Sequence, residues 1–254
     1  MTNALFVAWR PESPNEGWRP VGRLEHEDGT YRFFYTQGAK KPGFRPFDHM
    51  DAFDQVYESD ELFPVFANRL LSTSRPEYEE FLKWGGFDQN HHPDPIVILG
   101  LTEGRRQTDA IEVFPCPKPD GYGNYFNKFF LHGIRWLGDQ TAQRIARLRN
   151  DEALKVMFDV QNDHDSNAVA VRTEDDRVLI GYFPRYLACD VKRMLASCAS
   201  DDLHLFVDRL NLDAPQQNRV LCRMNACWPQ DFVPCSGEDF EPIPAHVKAS
   251  CLQE

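Results

Sequence analysis

The sequence lacks the features that would tie it to a membrane or to a named reaction. No run reaches the roughly eighteen uninterrupted apolar residues of a transmembrane helix. The opening Met1-Thr2-Asn3-Ala4-Leu5-Phe6 has neither a basic stretch nor a long apolar core of the secretory kind. A cytoplasmic protein without membrane association is expected. The phosphate-cradling pattern G-x-x-x-x-G-K-[ST], a G-x-G-x-x-G after a strand, the zinc-protease pattern H-E-x-x-H and the nucleophile elbow G-x-S-x-G are all missing. The sequence therefore reads as a non-enzymatic protein without a cofactor. Its seven cysteines are odd in number and scattered, which argues against a disulfide framework and for buried thiols. Cys222, Cys227 and Cys235 fall within fourteen residues, but they lack C-x2-C spacing and a nearby histidine, so zinc finds little support there. The pair His91-His92 sits beside Pro93 and Asp94 without further ligands and is given no role.

What is present is enough for two cores of ordinary domain size: 254 residues, 42% of them hydrophobic and 26% charged. The net charge of −11 is unevenly placed. Residues 1–127 hold 13 basic and 20 acidic side chains, residues 128–230 hold 14 of each, and the last 24 hold one and five. The neutral stretch suits recognition of a short strand or an end by a few placed groups better than coating of duplex phosphates.

The patterning predicts an α+β, mostly β protein of two small domains. Leu5–Trp9, Val21–Leu24 and Tyr31–Tyr35 read as strands of a meander, the last two joined by Glu27-Asp28-Gly29-Thr30. Arg75–Trp84 reads as a short amphipathic helix ending at Gly85-Gly86, and Ile96–Leu101 and Ala110–Phe114 as strands. Residues 115–124, with three prolines and two glycines, read as a linker after a first domain of 1–114. In the second domain, 125–230, strands are expected at Phe126–Ile134, Leu154–Val160, Ala168–Arg172, Val178–Tyr182, Leu203–Leu210 and Val220–Ala226. Two helices, from about Gly138 to Leu148 and from Pro184 through Leu195, complete a small barrel-like sheet. Residues 231–254 read as a poorly ordered acidic tail.

The most informative stretch runs Asp159-Val160-Gln161-Asn162-Asp163-His164-Asp165-Ser166-Asn167-Ala168-Val169-Ala170-Val171, followed by Ile180-Gly181-Tyr182-Phe183-Pro184-Arg185. Structurally it is a hairpin with a long Asn/Asp-rich turn leading into a buried strand. Asp165 and Asn167 either brace that turn through local backbone N–H groups or face a ligand.

This stretch resembles the signature of the HIRAN family, N-x-x-D-x-N-A-I-x-V followed by a turn and I-G-Y-[IVL]-P. Asn162, Asp165, Asn167, Ala168, Val169 and Val171 fit the first half, and Ile180, Gly181, Tyr182 and Pro184 the second. Upstream, Leu131-His132-Gly133-Ile134-Arg135-Trp136 resembles the family's opening strand, G-[IL]-R-[YHF]. The resemblance implies a β-barrel related to OB-type barrels, with two helices, that binds nucleic acid. In the family's best-known member the domain captures the 3′ end of single-stranded DNA. The positions implied are Arg135, Trp136, His164, Asp165, Asn167, Tyr182 and Arg185. In that picture Trp136 or Tyr182 stacks on a base, Asp165 accepts a hydrogen bond from a terminal 3′ hydroxyl, and Arg135 and Arg185 hold the neighbouring phosphate. The alternative for each aromatic is core packing. His164 and Trp136 depart from the family pattern, standing where the eukaryotic domain has tyrosines.

In the first domain Val21-Gly22-Arg23-Leu24, Tyr31-Arg32-Phe33-Phe34-Tyr35 and Leu62-Phe63-Pro64-Val65-Phe66-Ala67-Asn68-Arg69 resemble the N-terminal subdomain of HipA-type kinases. In split bacterial toxin–antitoxin systems that subdomain also exists as a separate small protein, HipS, that restrains its kinase. The kinase core is absent here: no phosphate loop, catalytic Asp or Asp-Phe-Gly triplet occurs. The resemblance implies an accessory regulator whose partners are a HipA-like (HipT-type) kinase and a single-stranded DNA 3′ end. The alternative is a stand-alone protein binding DNA ends or damaged DNA in repair.

Overall fold

The computed structural model describes residues 3–11, 18–88, 93–106, 108–120, 122–197 and 202–247. His91, His92, Cys198, Cys251, Gly121 of the expected linker and residues 248–254 of the expected tail lie outside them. The architecture is α+β and mostly β, with two antiparallel sheets. Strands β1 (Asn3–Trp9), β2 (Arg19–Glu27), β3 (Thr30–Tyr35) and β4 (Val56–Ser59) are followed by helices α1 (Pro64–Ala67), α2 (Tyr78–Trp84) and α3 (Pro95–Thr102), then strand β5 (Ile111–Pro115). The chain divides into two compact units, one of Met1–Tyr78, Asn90–Cys116 and Val233–Glu254, the other of Glu79–Gln89 and Pro117–Phe232.

In the first unit the sheet runs β4-β3-β2-β1-β5, so the expected meander is present, with β5 added beside β1. Leu5 lies opposite Leu24, and Leu24 opposite Phe33. These rows meet Phe66, Ile96 and Leu99 in one fully apolar core. Gly22 makes room for it, since a Cβ there would stand 2.5 Å from the Phe33 ring. The opposite face carries Phe6, whose ring meets Phe240 edge-on at 4.9 Å. A sheet buried on both faces explains why β2 reads as a continuous buried run rather than an alternating one.

Two expectations are corrected here. Ile96–Leu101, expected as a strand, is helix α3: Asp94 caps it by accepting from the Ile96 N–H at 3.0 Å, and Pro95 occupies its first turn. The acidic stretch after 231 is not a loose tail over its described part. Ile243 N–H donates to the Tyr35 carbonyl at 2.9 Å, Gln37 N–H to that of Glu241 at 2.8 Å, and Lys41 pairs with Asp239. Three backbone and charge contacts plus the Phe240 ring outweigh a composition that looked disordered. Helix α2, from Glu79 onward, belongs to the second unit, where the Trp84 carbonyl accepts from Asn211 Nδ2 at 3.0 Å.

The second unit carries β6 (Asn124–Phe130), α4 (Asp139–Ile145), β7 (Ala153–Phe158), β8 (Val169–Thr173), β9 (Leu179–Tyr182), α5 (Arg185–Ser197), β10 (Leu203–Leu210) and β11 (Val220–Cys227). The sheet order is β6-β11-β10-β7-β8-β9. It curls into a half-barrel whose first and last strands meet at one point. There, just beyond β6, His132 and Tyr182 exchange backbone hydrogen bonds of 2.9 and 3.0 Å.

Of the five described cysteines, Cys189, Cys222 and Cys235 are thiols, whereas Cys116 and Cys227 are each part of a disulfide. The expectation of thiols is corrected for those two.

Phe33 is fully buried at the centre of the first unit's core. Phe33→Ala is expected to destabilise that unit by about 3–5 kcal/mol, read as a lowered urea midpoint. A loss below about 1 kcal/mol would show that the core is not packed as described.

Candidate functional site

The signature residues converge on the place where the half-barrel closes. Gly133 adopts a left-handed φ of 72°, and a Cβ there would stand 2.9 Å from the Tyr182 ring. Gly181 faces the crossing strand so closely that a Cβ would lie 3.0 Å from both the His132 carbonyl oxygen and the Leu131 side chain. Both glycines are steric requirements of the seam. The left-handed turn at Gly133 also ends the strand. Ile134–Trp136, expected to continue it, forms a 3-10 turn, closed by Trp136 N–H donating to the Gly133 carbonyl at 2.9 Å.

That turn packs against β9 and sends Trp136 outward, where it is 77% exposed. The Arg135 guanidinium lies over the Trp136 ring, 4.6 Å from its centre. A core role for Trp136 is thereby ruled out. Tyr182 is half-buried, its ring against Gly133 and its hydroxyl donating to Asp159 Oδ2 at 3.1 Å.

The same Asp159 oxygen accepts from Asn162 Nδ2 at 3.0 Å, while Asn162 Oδ1 takes the backbone N–H groups of His164 and Asp165, each at 3.0 Å. Asn162 is thus the brace of the turn. Asp165 braces the turn: one carboxylate oxygen accepts from Asn167 N–H at 2.9 Å, and the other lies 3.6 Å from Arg185 Nε. Arg185 also donates to the His164 carbonyl at 3.2 Å. Asn167 lends its side-chain oxygen to Lys192 Nζ at 3.1 Å. His164 is exposed.

The structure therefore links Tyr182, His164, Asp165, Asn167 and Arg185 by direct contacts through Asp159 and Asn162, and brings Arg135 and Trp136 to the same seam. Asp159, Asn162 and Lys192 were not among the expected ligand-facing residues. The signal of Asp159 and Asn162, two polar residues opening an Asx-type turn, is indistinguishable in sequence from ordinary turn chemistry, and Lys192 on α5 reads as an ordinary solvent-facing helix residue. Burial, followed by the hydrogen bond and negative charge of Asp159, raises the Tyr182 phenol above its ordinary value. Among the described residues no cluster of three or more His, Cys, Asp or Glu side chains is placed to hold a metal.

A family model describing the HIRAN domain matches residues 126–224. The second unit contains a HIRAN domain. Two solved structures are similar to this part of the chain. One is a protein from Lactobacillus plantarum, 20% identical, with 41% of this chain and 99% of that one covered and a TM-score of 0.30. The other is the HIRAN domain of human HLTF, 17% identical, with 41% and 75% covered and a TM-score of 0.28. No curated protein matches the chain.

The raised Tyr182 value fixes a sign. The folded protein holds this proton more tightly than the unfolded chain, so the stabilisation is complete below the free-tyrosine range and is lost as pH rises through the folded value. In an alkaline absorbance titration, the wild-type minus Tyr182→Phe difference is expected to show one phenol ionising above about 10. Asp159→Asn is expected to lower it. A difference curve centred on the free-tyrosine value would mean that the Tyr182–Asp159 bond does not persist in solution.

Proposed function

We propose that the HIRAN domain of this protein binds single-stranded DNA at its 3′ terminus and catalyses no reaction. The observation that carries this reading is the pairing of an outward-facing aromatic, Trp136 under the Arg135 guanidinium, with the braced Asp165–Arg185 pair on one seam. Trp136 and the Tyr182 ring offer stacking faces that accept any base. Arg135 and Arg185 supply charge-assisted donors for a phosphate. Asp165 is an acceptor for a terminal hydroxyl, a donor that an internal phosphodiester lacks. Asn167 and His164 shape the turn that presents it. A cytoplasmic location accords with this role.

The test is binding of the full chain to one oligonucleotide sequence ending in a 3′ hydroxyl or a 3′ phosphate. Tighter binding of the hydroxyl end is expected, with Trp136→Ala weakening it by about 1–3 kcal/mol. Equal affinity for both ends removes end capture, and absence of binding at low salt removes DNA recognition.

For the first unit the proposed role is docking on a HipA-like kinase in the manner of HipS. Its support is the motif resemblance alone, and among the residues carrying that resemblance Val21, Leu24, Phe33, Phe34, Tyr35 and Phe66 are core. They speak for a shared packing pattern more than for a shared partner. On co-expression with a HipA-like kinase lacking its own N-terminal subdomain, the two proteins are expected to co-elute and growth to be restored. Separate elution with unchanged toxicity leaves the repair-type, stand-alone role.

A further inference from the structure

At the end of β7 large apolar side chains are exposed: Met157 and Phe158, on opposite faces of the strand, are 44% and 45% exposed, and Val160 just beyond it is 84% exposed. Single exposed apolar residues are ordinary, but a ring beside a ligand-facing turn and under a cation calls for an occupant. Phe158 directly precedes Asp159, the acceptor of the Tyr182 hydroxyl. Over its ring, 5.8 Å from the centre, stands the Lys192 ammonium. Lys192 is held there by Asn167 Oδ1 at 3.1 Å and the Ser166 carbonyl at 3.5 Å. On helix α5, Lys192 follows Arg185 by seven residues. The two cations therefore share a face and stand roughly 10 Å apart along the helix, with the exposed Cys189 between them.

The surface thus repeats the first site's composition, a solvent-facing ring under a cation, in continuity with it through Asn167, Asp165 and Arg185. One occupant fits both: a polyanion carrying flat rings at regular intervals. We propose that Phe158 and Lys192 form a second subsite for the same strand, Phe158 stacking on a base upstream of the terminal nucleotide and Lys192 holding a neighbouring phosphate. This rests on the end-binding role proposed above. It sets a minimum strand length, because a ligand confined to the Trp136–Arg185 seam does not reach it.

The experiment uses the full chain and two ligands with free 3′ hydroxyls: a single strand of about ten nucleotides, within the site size of such barrels, and a dinucleotide read by competition. Phe158→Ala is expected to weaken the long strand roughly 5- to 150-fold, the range for loss of one stacking ring, while leaving the dinucleotide and the preference for a 3′ hydroxyl unchanged. Lys192→Gln is expected to lower the salt slope for the long strand by roughly 0.7, one phosphate on a single strand. Equal losses on both ligands would overturn the subsite and make Phe158 and Lys192 braces of the turn. Unchanged affinity for both would overturn it as well. Failure of the wild type to bind either ligand removes the end-binding reading itself, whereas wild-type binding with unaffected variants removes only the subsite.

Discussion

Two backbone hydrogen bonds between His132 and Tyr182 determine the geometry of everything at the site. A six-stranded sheet can curl without closing. Here its two outer strands are drawn together at a single residue pair, and that approach is possible only because Gly181 and Gly133 present no Cβ to the crossing chain. A methyl at Gly181 would press on the His132 carbonyl and the Leu131 side chain. At Gly133 it would meet the Tyr182 ring, on a backbone already in the left-handed region. The same left-handed turn converts the end of a strand into the 3-10 turn that swings Trp136 outward. Closure and exposure of the aromatic are one structural event.

From the seam, order spreads through polar contacts. The Tyr182 hydroxyl, Asp159, Asn162 and the backbone of His164 and Asp165 form a connected series of bonds near 3 Å. Each link removes freedom from a turn whose composition would otherwise leave it mobile. Ordering that is complete before a ligand arrives does not have to be supplied on binding, so a few contacts suffice for useful affinity. The arrangement also separates tasks. Asn162 and one oxygen of Asp165 hold the turn, which leaves the second oxygen of Asp165 directed toward Arg185.

Much of this was legible in the residues. The strands of the second unit and helices α4 and α5 match the expected segments to within a few residues, because alternating burial and Gly/Pro/Asn punctuation carry strong local signals. The failures have distinct physical causes. Ile96–Leu101 is apolar throughout, and periodicity alone cannot separate a buried helix from a buried strand; the capping pair Asp94-Pro95 held the deciding information. Strand β4 has no burial alternation to reveal it. The acidic C-terminal stretch is ordered by the Tyr35 carbonyl, the Gln37 N–H and the Phe6 ring, long-range partners that no local window contains. Within the site, the sequence located the signature residues but not their division of labour. Whether an Asn braces or binds depends on which lone pair is already engaged, and that is a property of three-dimensional geometry.

The charge distribution bears on how such a protein can recognise a polyanion at all. With a net charge of −11, the whole molecule repels nucleic acid at long range, so non-specific attraction cannot supply the affinity. The neutral second domain removes that repulsion locally without replacing it by a general positive field. What remains must come from short-range terms: rings that stack and guanidinium or ammonium groups at fixed positions. Such terms discriminate among ligands by shape and terminal chemistry, whereas counterion release does not. An acidic chain with a neutral, glycine-closed half-barrel is therefore poorly suited to coating a strand. The repulsion of its remaining surface works in the same direction, because it penalises every bound geometry that brings further phosphates along the protein.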